Sequence, residues 1–475
     1  MNLKDSPAGF APSSLNSAFE AQRLAFAQSD PSDAGLRRDR LARLLEMLLA
    51  NVGAIAEAID RDFAGRSRHE TELLEIFPSL EAVRHARRHL RRWMRPERRG
   101  TSMWFLPGRS EVRPQALGVV GIVVPWNYPV FLAVGPLAAA LAAGNRAMVK
   151  MSEFTPATGE LFAGLVSKAF DPAEVTVING SAEIAQEFVA LPFDHLLFTG
   201  STAVGRHVMR AAAQNLTPVT LELGGKSPAI IGPEARLDVA AERIMLGKCL
   251  NAGQTCIAPD YVLVPAGRLE EFATLAKGVV SRFYPRLRDN PDYSSIINDR
   301  HRARLEGLVR DAVAHGARVI PLHADDLTGT PKIAPRLLVD VSDEMTVMQE
   351  EIFGPLLPLV PYGTLDEAIA YVNARPRPLA LYVFDDDRRN VAAVLERTVS
   401  GGVTVNDTIL HIAQDNLPFG GVGPSGMGHY HGREGFDTFS KKKAVFRQSR
   451  LNGLGLFMPP YTKRFESLIR LLIRK

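Results

Sequence analysis

Cysteine is nearly missing from this chain: its 475 residues hold Cys249 and Cys256 and no other. Two thiols cannot staple a fold of this size. With no His/Cys cluster around them they do not make a zinc site either, so no metal is expected. Free thiols suit a reducing compartment, and the expectation is a cytoplasmic protein. Also missing is any run of about 18 apolar residues, which excludes a spanning helix. The first residues, Met1-Asn2-Leu3-Lys4-Asp5-Ser6, lack the apolar centre of a signal peptide. Strong charge imbalance is missing too. The formal net charge is +4, and the segment from Thr462 to Lys475 carries all of it through Lys463, Arg464, Arg470, Arg474 and Lys475 against Glu466. The remainder sums to zero, which argues against a general polyanion-binding surface. No internal repeat or low-complexity tract is evident.

What is present is ordinary globular composition over a length that suits about three domains. Helices are expected near 14–28, over 33–63 and over 71–94. In the second of these, Leu41, Leu44, Leu45, Leu48, Val52, Ile55 and Ile59 recur at helical spacing. The third ends in Arg84, Arg87, Arg88, Arg91, Arg92 and Arg95. No aromatic interleaving or nucleic-acid module accompanies these cations. They read as a solvated face near a helix C-terminus, where the dipole favours them, and no nucleic-acid partner is expected. Residues 103–113 read as an apolar hairpin turning at Pro107-Gly108.

From Leu117 the pattern alternates. Strands are expected over 119–124, 147–150, 174–178, 195–198 and 219–223, with helices over 130–143, 156–170, 182–190 and 202–213. Apolar strands separated by helices argue an α/β fold with a doubly wound parallel sheet. Such sheets bind ligands beyond their strands' C-terminal ends, where Asn127, Lys150, Gly200 and Glu222 fall. A second α/β unit comes next, with helices over 237–250, 269–282, 365–373 and 387–398 and strands over 261–264, 379–384 and 403–406. The expected site is the cleft between the two units.

The chemistry centres on Asn251-Ala252-Gly253-Gln254-Thr255-Cys256, a thiol on a loop behind a small, flexible pair. A loop thiol can meet a substrate. Cys249, inside the preceding helix pattern, reads as a small buried hydrophobe. Leu221-Glu222-Leu223-Gly224-Gly225-Lys226 offers a carboxylate at the end of a strand, a candidate base. Asn127, in Pro125-Trp126-Asn127-Tyr128-Pro129, suits either an oxyanion donor or a helix cap. Gly200-Ser201-Thr202-Ala203-Val204-Gly205 comes after a strand and opens a helix, as a phosphate site or as tight packing. Arg206 and His207 stand where a P-loop needs Lys and Ser/Thr, which excludes that motif. Gly421-Val422-Gly423-Pro424-Ser425-Gly426 matches a dinucleotide fingerprint in spelling only, because no strand precedes it and Pro424 interrupts the helix that the fingerprint needs. His411, His429 and His431 lack ligand spacing and read as structural.

Together with Phe198-Thr199-Gly200-Ser201-Thr202 and Glu351-Ile352-Phe353-Gly354-Pro355, these motifs resemble the aldehyde dehydrogenase superfamily, from about Leu36 to about Phe446. The resemblance implies a nucleophilic Cys256, a base in Glu222, and an oxyanion donor in Asn127. It implies NAD, or alternatively NADP, held by Trp126, Gly200, Ser201, Thr202, Gly205 and Leu223. Lys150 and Glu153 would take the adenosine ribose, Glu351 the nicotinamide ribose, and Phe353 would pack beside the ring. The implied domains are an NAD(P)-binding unit (14–97 and 115–222), a catalytic unit (223–424), and an oligomerisation arm (98–114 and 436–450). Last comes an amphipathic tail (451–475), with docking on the protein's own surface expected over weak contact with anionic lipid. The stretch from Leu417 to Gly428, with Tyr430-His431-Gly432, resembles the class 3 branch. Ser67-Arg68-His69-Glu70-Thr71, Trp93-Met94-Arg95-Pro96 and Met148 to Glu153 resemble the bacterial coniferyl aldehyde dehydrogenases. That likeness implies a homodimer oxidising a small aldehyde, coniferyl aldehyde, to ferulate. The alternatives are other aromatic or medium- and long-chain aliphatic aldehydes, and, from another class, a non-catalytic cofactor-binding protein.

Overall fold

The computed structural model describes residues 12–473, with side chains from Leu15 onward. Among these residues the strands gather into three sheets. The first is built from Val119–Val123, Arg146–Lys150, Val175–Ile178, His195–Thr199 and Val219–Glu222, all parallel. Its strands are buried on both faces, Val119–Val123 along its whole length. The helix Phe131–Ala143 is apolar nearly all round and buries every residue but Gly135. A helix without a polar face belongs inside, and this one fixes the layer against the sheet. Gly426–Met427 closes one edge antiparallel to Val219–Glu222.

The strand order places His195–Thr199 beside Val119–Val123, with later and earlier strands on opposite sides. The chain winds away from that line in both directions, so the loops above it splay apart and leave a crevice. The second sheet runs in the order Arg318–Pro321, Arg336–Val339, Leu356–Tyr362, Tyr261–Pro265, Pro228–Ile231, Ala380–Phe384, Gly402–Val405. Only its first pair is antiparallel. The third sheet is a separate antiparallel excursion of Glu97–Arg99, Arg109–Ala116 and Ser440–Arg447.

Four expectations need correcting. The hairpin does not turn at Pro107-Gly108: Glu97↔Val112 and Arg99↔Ser110 are partners, Met103–Phe105 is a 3-10 turn, and the whole of 100–108 is loop. The helix expected over 33–63 is two, Ala34–Ala50 and Val52–Phe63. Asn51 breaks it by turning its side-chain amide back onto the Met47 carbonyl at 2.7 Å. The helix expected over 71–94 begins as Arg68–Thr71, passes through a π-turn at Glu72–Ile76 and continues as Phe77–Trp93. The C-terminal helix Lys463–Ile473 does not dock on the body: it buries none of its residues, and Phe465 rests on Phe457 and Tyr461 just before it. Arg474 and Lys475 lie outside the described residues. No described helix is long and apolar enough to cross a membrane.

Candidate active site

A cleft of about 500 Å³ opens above the crossover line of the first sheet. Its wall brings together Asn127, Glu222 and Cys256, contributed by three segments far apart in sequence. Trp126, Gly200, Ser201, Thr202, Leu223, Glu351 and Phe353 line the same space. Three expected cofactor residues are not in that wall. Gly205 lies one turn into the helix Thr202–Ala213 and packs beneath Leu223, whose methyl a Cβ would meet at 2.7 Å. Lys150 is buried at the end of the adjacent strand and donates to the Met151 and Gly180 carbonyls at 2.6 and 2.9 Å. Glu153 is exposed beyond it.

Cys256 is half-buried on a loop that backbone strain has shaped. The helix Leu237–Cys249 ends with Cys249 buried, and Asn251, Ala252 and Gly253 then all adopt left-handed backbone, with φ of 50°, 51° and 76°. Gly253 must be glycine: a Cβ would stand 2.4 Å from the Gly354 carbonyl oxygen, where this loop passes the Glu351–Pro355 turn. Gln254 holds the loop from within. Its amide donates to the Asn251 and Ser295 carbonyls, both at 2.9 Å, and its oxygen accepts from Ile297 N–H at 3.0 Å. Tyr128 and Thr255 share a hydroxyl hydrogen bond of 2.6 Å.

Asn127 does not cap the helix that comes after it. Its side-chain amide reaches across to the Gln254 carbonyl at 3.2 Å, two residues before the thiol. The cap is therefore not made, and an amide bonded once still has a second N–H to offer. Glu222 ends its strand, opposite Thr199 on one side and Gly426 on the other. Both its carboxylate oxygens are buried without a hydrogen-bond partner among the described residues. The Gly-rich fingerprint look-alike is a tight turn, as expected: Gly423 and Gly426 are left-handed, and the turn leads straight into Gly426–Met427 beside Glu222.

Electrostatically the cleft disfavours negative charge. Burial pushes the Cys256 thiol up to about 12, helped by the neighbouring Glu351 and Glu222 carboxylates. Burial alone pushes Glu222 well above the usual carboxylate range. Burial, then repulsion from Asp260, pushes Glu351 up to about 8. Cys256 and Glu222 have no cation among the charges that act on them, so an entering cation beside them is stabilised.

That property and the shape fit a nicotinamide dinucleotide. Ser201 caps the helix Thr202–Ala213 through Val204 N–H at 3.4 Å, leaving first-turn amides of Thr202 and Ala203 at the cleft. Glu351 lies against Gly224, where a Cβ would stand 1.9 Å from its carboxylate, and one of its oxygens has no partner among the described residues. Three further residues line the cleft that the motifs did not reveal, Glu350, His301 and Arg304, and the last two share an element. Both sit on the helix Asp299–Ala314, which Asn298 caps through His301 N–H at 3.0 Å. That cap, ahead of Leu305, Leu308 and Ala312, was the available signal. His301 packs edge-on to Trp126 at 5.0 Å, and burial together with Arg304 pushes its imidazole down to about 4, so it is neutral. Arg304 donates to the Glu351 carbonyl at 3.2 Å and to the Ile352 carbonyl, bracing the turn that carries Glu351 and Phe353.

A protein-family model described as the aldehyde dehydrogenase family matches residues 8–445. The chain belongs to the aldehyde dehydrogenase family. It is 55% identical over 462 residues to a Pseudomonas aeruginosa protein named "Probable coniferyl aldehyde dehydrogenase", covering 97% of this chain and 96% of that one. Its fold superposes on a substrate-bound state of Staphylococcus aureus AldH with a TM-score of 0.91 at 38% identity, over 96% of this chain and 99% of that one. It superposes on a Mycobacterium tuberculosis aldehyde dehydrogenase complexed with NAD+ with a TM-score of 0.83 at 30% identity, over 92% and 90% of the two chains. This aldehyde dehydrogenase is thus an NAD(P)-dependent oxidoreductase that converts an aldehyde to a carboxylate.

Proposed function

We propose that Cys256 is the nucleophile, Asn127 the oxyanion donor and Glu222 the hydrolytic base of this aldehyde dehydrogenase. The observation that carries the reading is the meeting of these three side chains in one cleft, where both Glu222 carboxylate oxygens are buried without a hydrogen-bond partner among the described residues. The Cys256 thiol gives up its proton to the Glu222 carboxylate, which passes it to solvent, and the resulting thiolate adds to the aldehyde carbonyl carbon, forming a C–S bond and an oxyanion. The second N–H of the Asn127 amide and the Cys256 backbone N–H hold that oxygen; one such donor is worth ~10²–10³ in rate. Bound NAD(P)+ supplies the two-electron acceptor. Loss of the hydride leaves a thioester on Cys256. Glu222 then takes one proton from water, the water oxygen bonds to the acyl carbon, the C–S bond breaks, and the acid leaves as carboxylate as its remaining proton passes to the Cys256 sulfur. Trp126, Gly200, Ser201, Thr202, Leu223, Glu351 and Phe353 bind the dinucleotide, with Gly205 packing behind them. Lys150 and Glu153 serve the adenosine ribose, where the Glu153 carboxylate would repel a 2′-phosphate and favours NAD.

The substrate we infer is coniferyl aldehyde, oxidised to ferulate. The Pseudomonas aeruginosa relative's name supports it. We further infer a cytoplasmic homodimer divided as the sequence suggests: 14–97 with 115–222, 223–424, the arm 98–114 with 436–450, and the tail 451–475. The test is NADH formation across a panel of aldehydes. Higher kcat/KM for coniferyl aldehyde than for medium- and long-chain alkanals supports the assignment, and the reverse order replaces it with the aliphatic one.

A further inference from the structure

Arg66 takes no part in the reaction just described, yet it is fully buried behind the site. Its Nη1 donates to the backbone carbonyl of Asn127 at 2.8 Å. Its guanidinium lies over the Phe63 and Tyr128 rings, 4.9 Å from each centroid. The nearest carboxylate, Glu75, is 3.7 Å away, and the facing atoms, Nη2 and Oε1, make no hydrogen bond among the described residues. A buried guanidinium so loosely paired is not explained by its ion pair, which repays desolvation only in tight geometry. What it does make well is the bond to Asn127.

We propose that Arg66 is a positioning residue that aims the oxyanion amide of Asn127 at the aldehyde oxygen, a role that rests on the reading of Asn127 and Cys256 given above. The segment around Arg66 grips both halves of the site. The other Glu75 oxygen accepts from Val130 and Phe131 N–H at 2.7 and 3.2 Å, fixing the chain just after Asn127. The π-turn at Glu72–Ile76 sets the direction in which Glu75 points. The Asn127 carbonyl held by Arg66 also accepts from the Asn251 side chain at 3.1 Å, and Asn251 N–H donates to Glu70 at 2.9 Å. Asn251 and Ala252 keep their left-handed backbone only if their surroundings over-determine it. Arg66 and Glu70, four residues apart, thus set the amide and the thiol loop relative to one another. An oxyanion donor works only when held near its productive geometry, so loosening this grip costs transition-state binding and leaves substrate binding largely intact.

The experiment compares steady-state kinetics of wild type, Arg66→Met, Arg66→Lys, Asn127→Ala, the Arg66→Met/Asn127→Ala double variant and Cys256→Ala, each checked for a cooperative thermal transition. Arg66→Met is expected to lower kcat by roughly 10–100-fold, less than Asn127→Ala, with KM for aldehyde and cofactor nearly unchanged. Arg66→Lys, which keeps the charge and loses the planar fork, is expected between Met and wild type. The double variant is expected to be no slower than Asn127→Ala, because Arg66 acts through that amide. Wild-type kcat in Arg66→Met, or losses that multiply in the double variant, would overturn the inference. If Arg66→Met does not fold, Arg66→Lys decides: wild-type kcat there has the same consequence. Turnover by Cys256→Ala, or full rate in Asn127→Ala, would instead remove the site assignment beneath it.

Discussion

At the residue scale, the resting site holds a thiol and a carboxyl that their surroundings keep neutral. Glu222 is buried without a hydrogen-bond partner among the described residues, so its ionisation as pH rises is unfavourable in the fold and not in the unfolded chain. Its folded pKa is raised, so the wild type is at no disadvantage below the ordinary carboxyl value of 4.5 and loses stability as pH climbs through the raised one. Glu222→Gln is therefore expected to melt higher than wild type at pH 8 and together with it at pH 4. A lower melting temperature at pH 8 would show that the carboxylate is stabilised in the fold. The same variant should release one burst of NAD(P)H per site and then stall as a thioester, and an unchanged steady state excludes Glu222 as the base. Much of this site was legible because its parts are contiguous words: Asn251 to Cys256, Glu222 to Gly225, and Glu351 to Pro355. His301, Arg304, Arg66 and Glu75 were not legible in that way. Each is a single side chain from a segment without a motif, and sequence gives a residue's type without the direction in which it points.

At the element scale, the first sheet was read nearly strand for strand, since its runs are apolar, long enough and separated by helical periodicity. The second was read in part. Pro228–Ile231, an interior strand beside the central Tyr261–Pro265, is short and opens on proline, which masks a buried parallel strand. Arg336–Val339 and Leu356–Tyr362 sit among Pro335, Pro355, Pro358 and Pro361, and their partners are long-range. Loops between elements carry the tightest tolerances. Gly224→Ala would drive a Cβ into the Glu351 carboxylate, so it is expected to raise the cofactor KM several-fold while the thiol still reacts with iodoacetamide. An unchanged cofactor KM would argue that Glu351 does not bind the dinucleotide. Gly253→Ala combines φ of 76° with a clash at 2.4 Å and is expected to cost about 1–3 kcal/mol in stability by denaturant titration. A loss well below that would mean the cysteine loop is less constrained than its contacts imply.

At the scale of the whole molecule, the three-stranded excursion projects apolar side chains into solvent. Trp104 is 61% exposed, next to Met103, Phe105 and Leu106, and Phe105 packs edge-on against the half-exposed Phe446. The edge strand Ser440–Arg447 has no partner on its outer side among the described residues. Such a patch with an open edge is how a subunit interface looks when one copy is seen alone. If the proposed homodimer forms through this patch, Trp104→Asp with Phe446→Asp shifts it to monomer by light scattering, and a monomeric wild type would refute the assembly proposed. The hairpin expected over 103–113 is instead the pair Glu97–Arg99 and Arg109–Ala116, and its turn was misplaced because pairing register is fixed by partners that sequence leaves unstated. The central claim, that aldehyde oxidation passes through an acyl group on Cys256, is tested most directly by intact-protein and peptide mass spectrometry of Glu222→Gln mixed with NAD and coniferyl aldehyde. The expected result is a stoichiometric acyl adduct on the peptide containing Cys256, formed together with NADH and absent in Cys256→Ala. NADH produced at the wild-type rate with no adduct at that cysteine, or produced by Cys256→Ala, would contradict it.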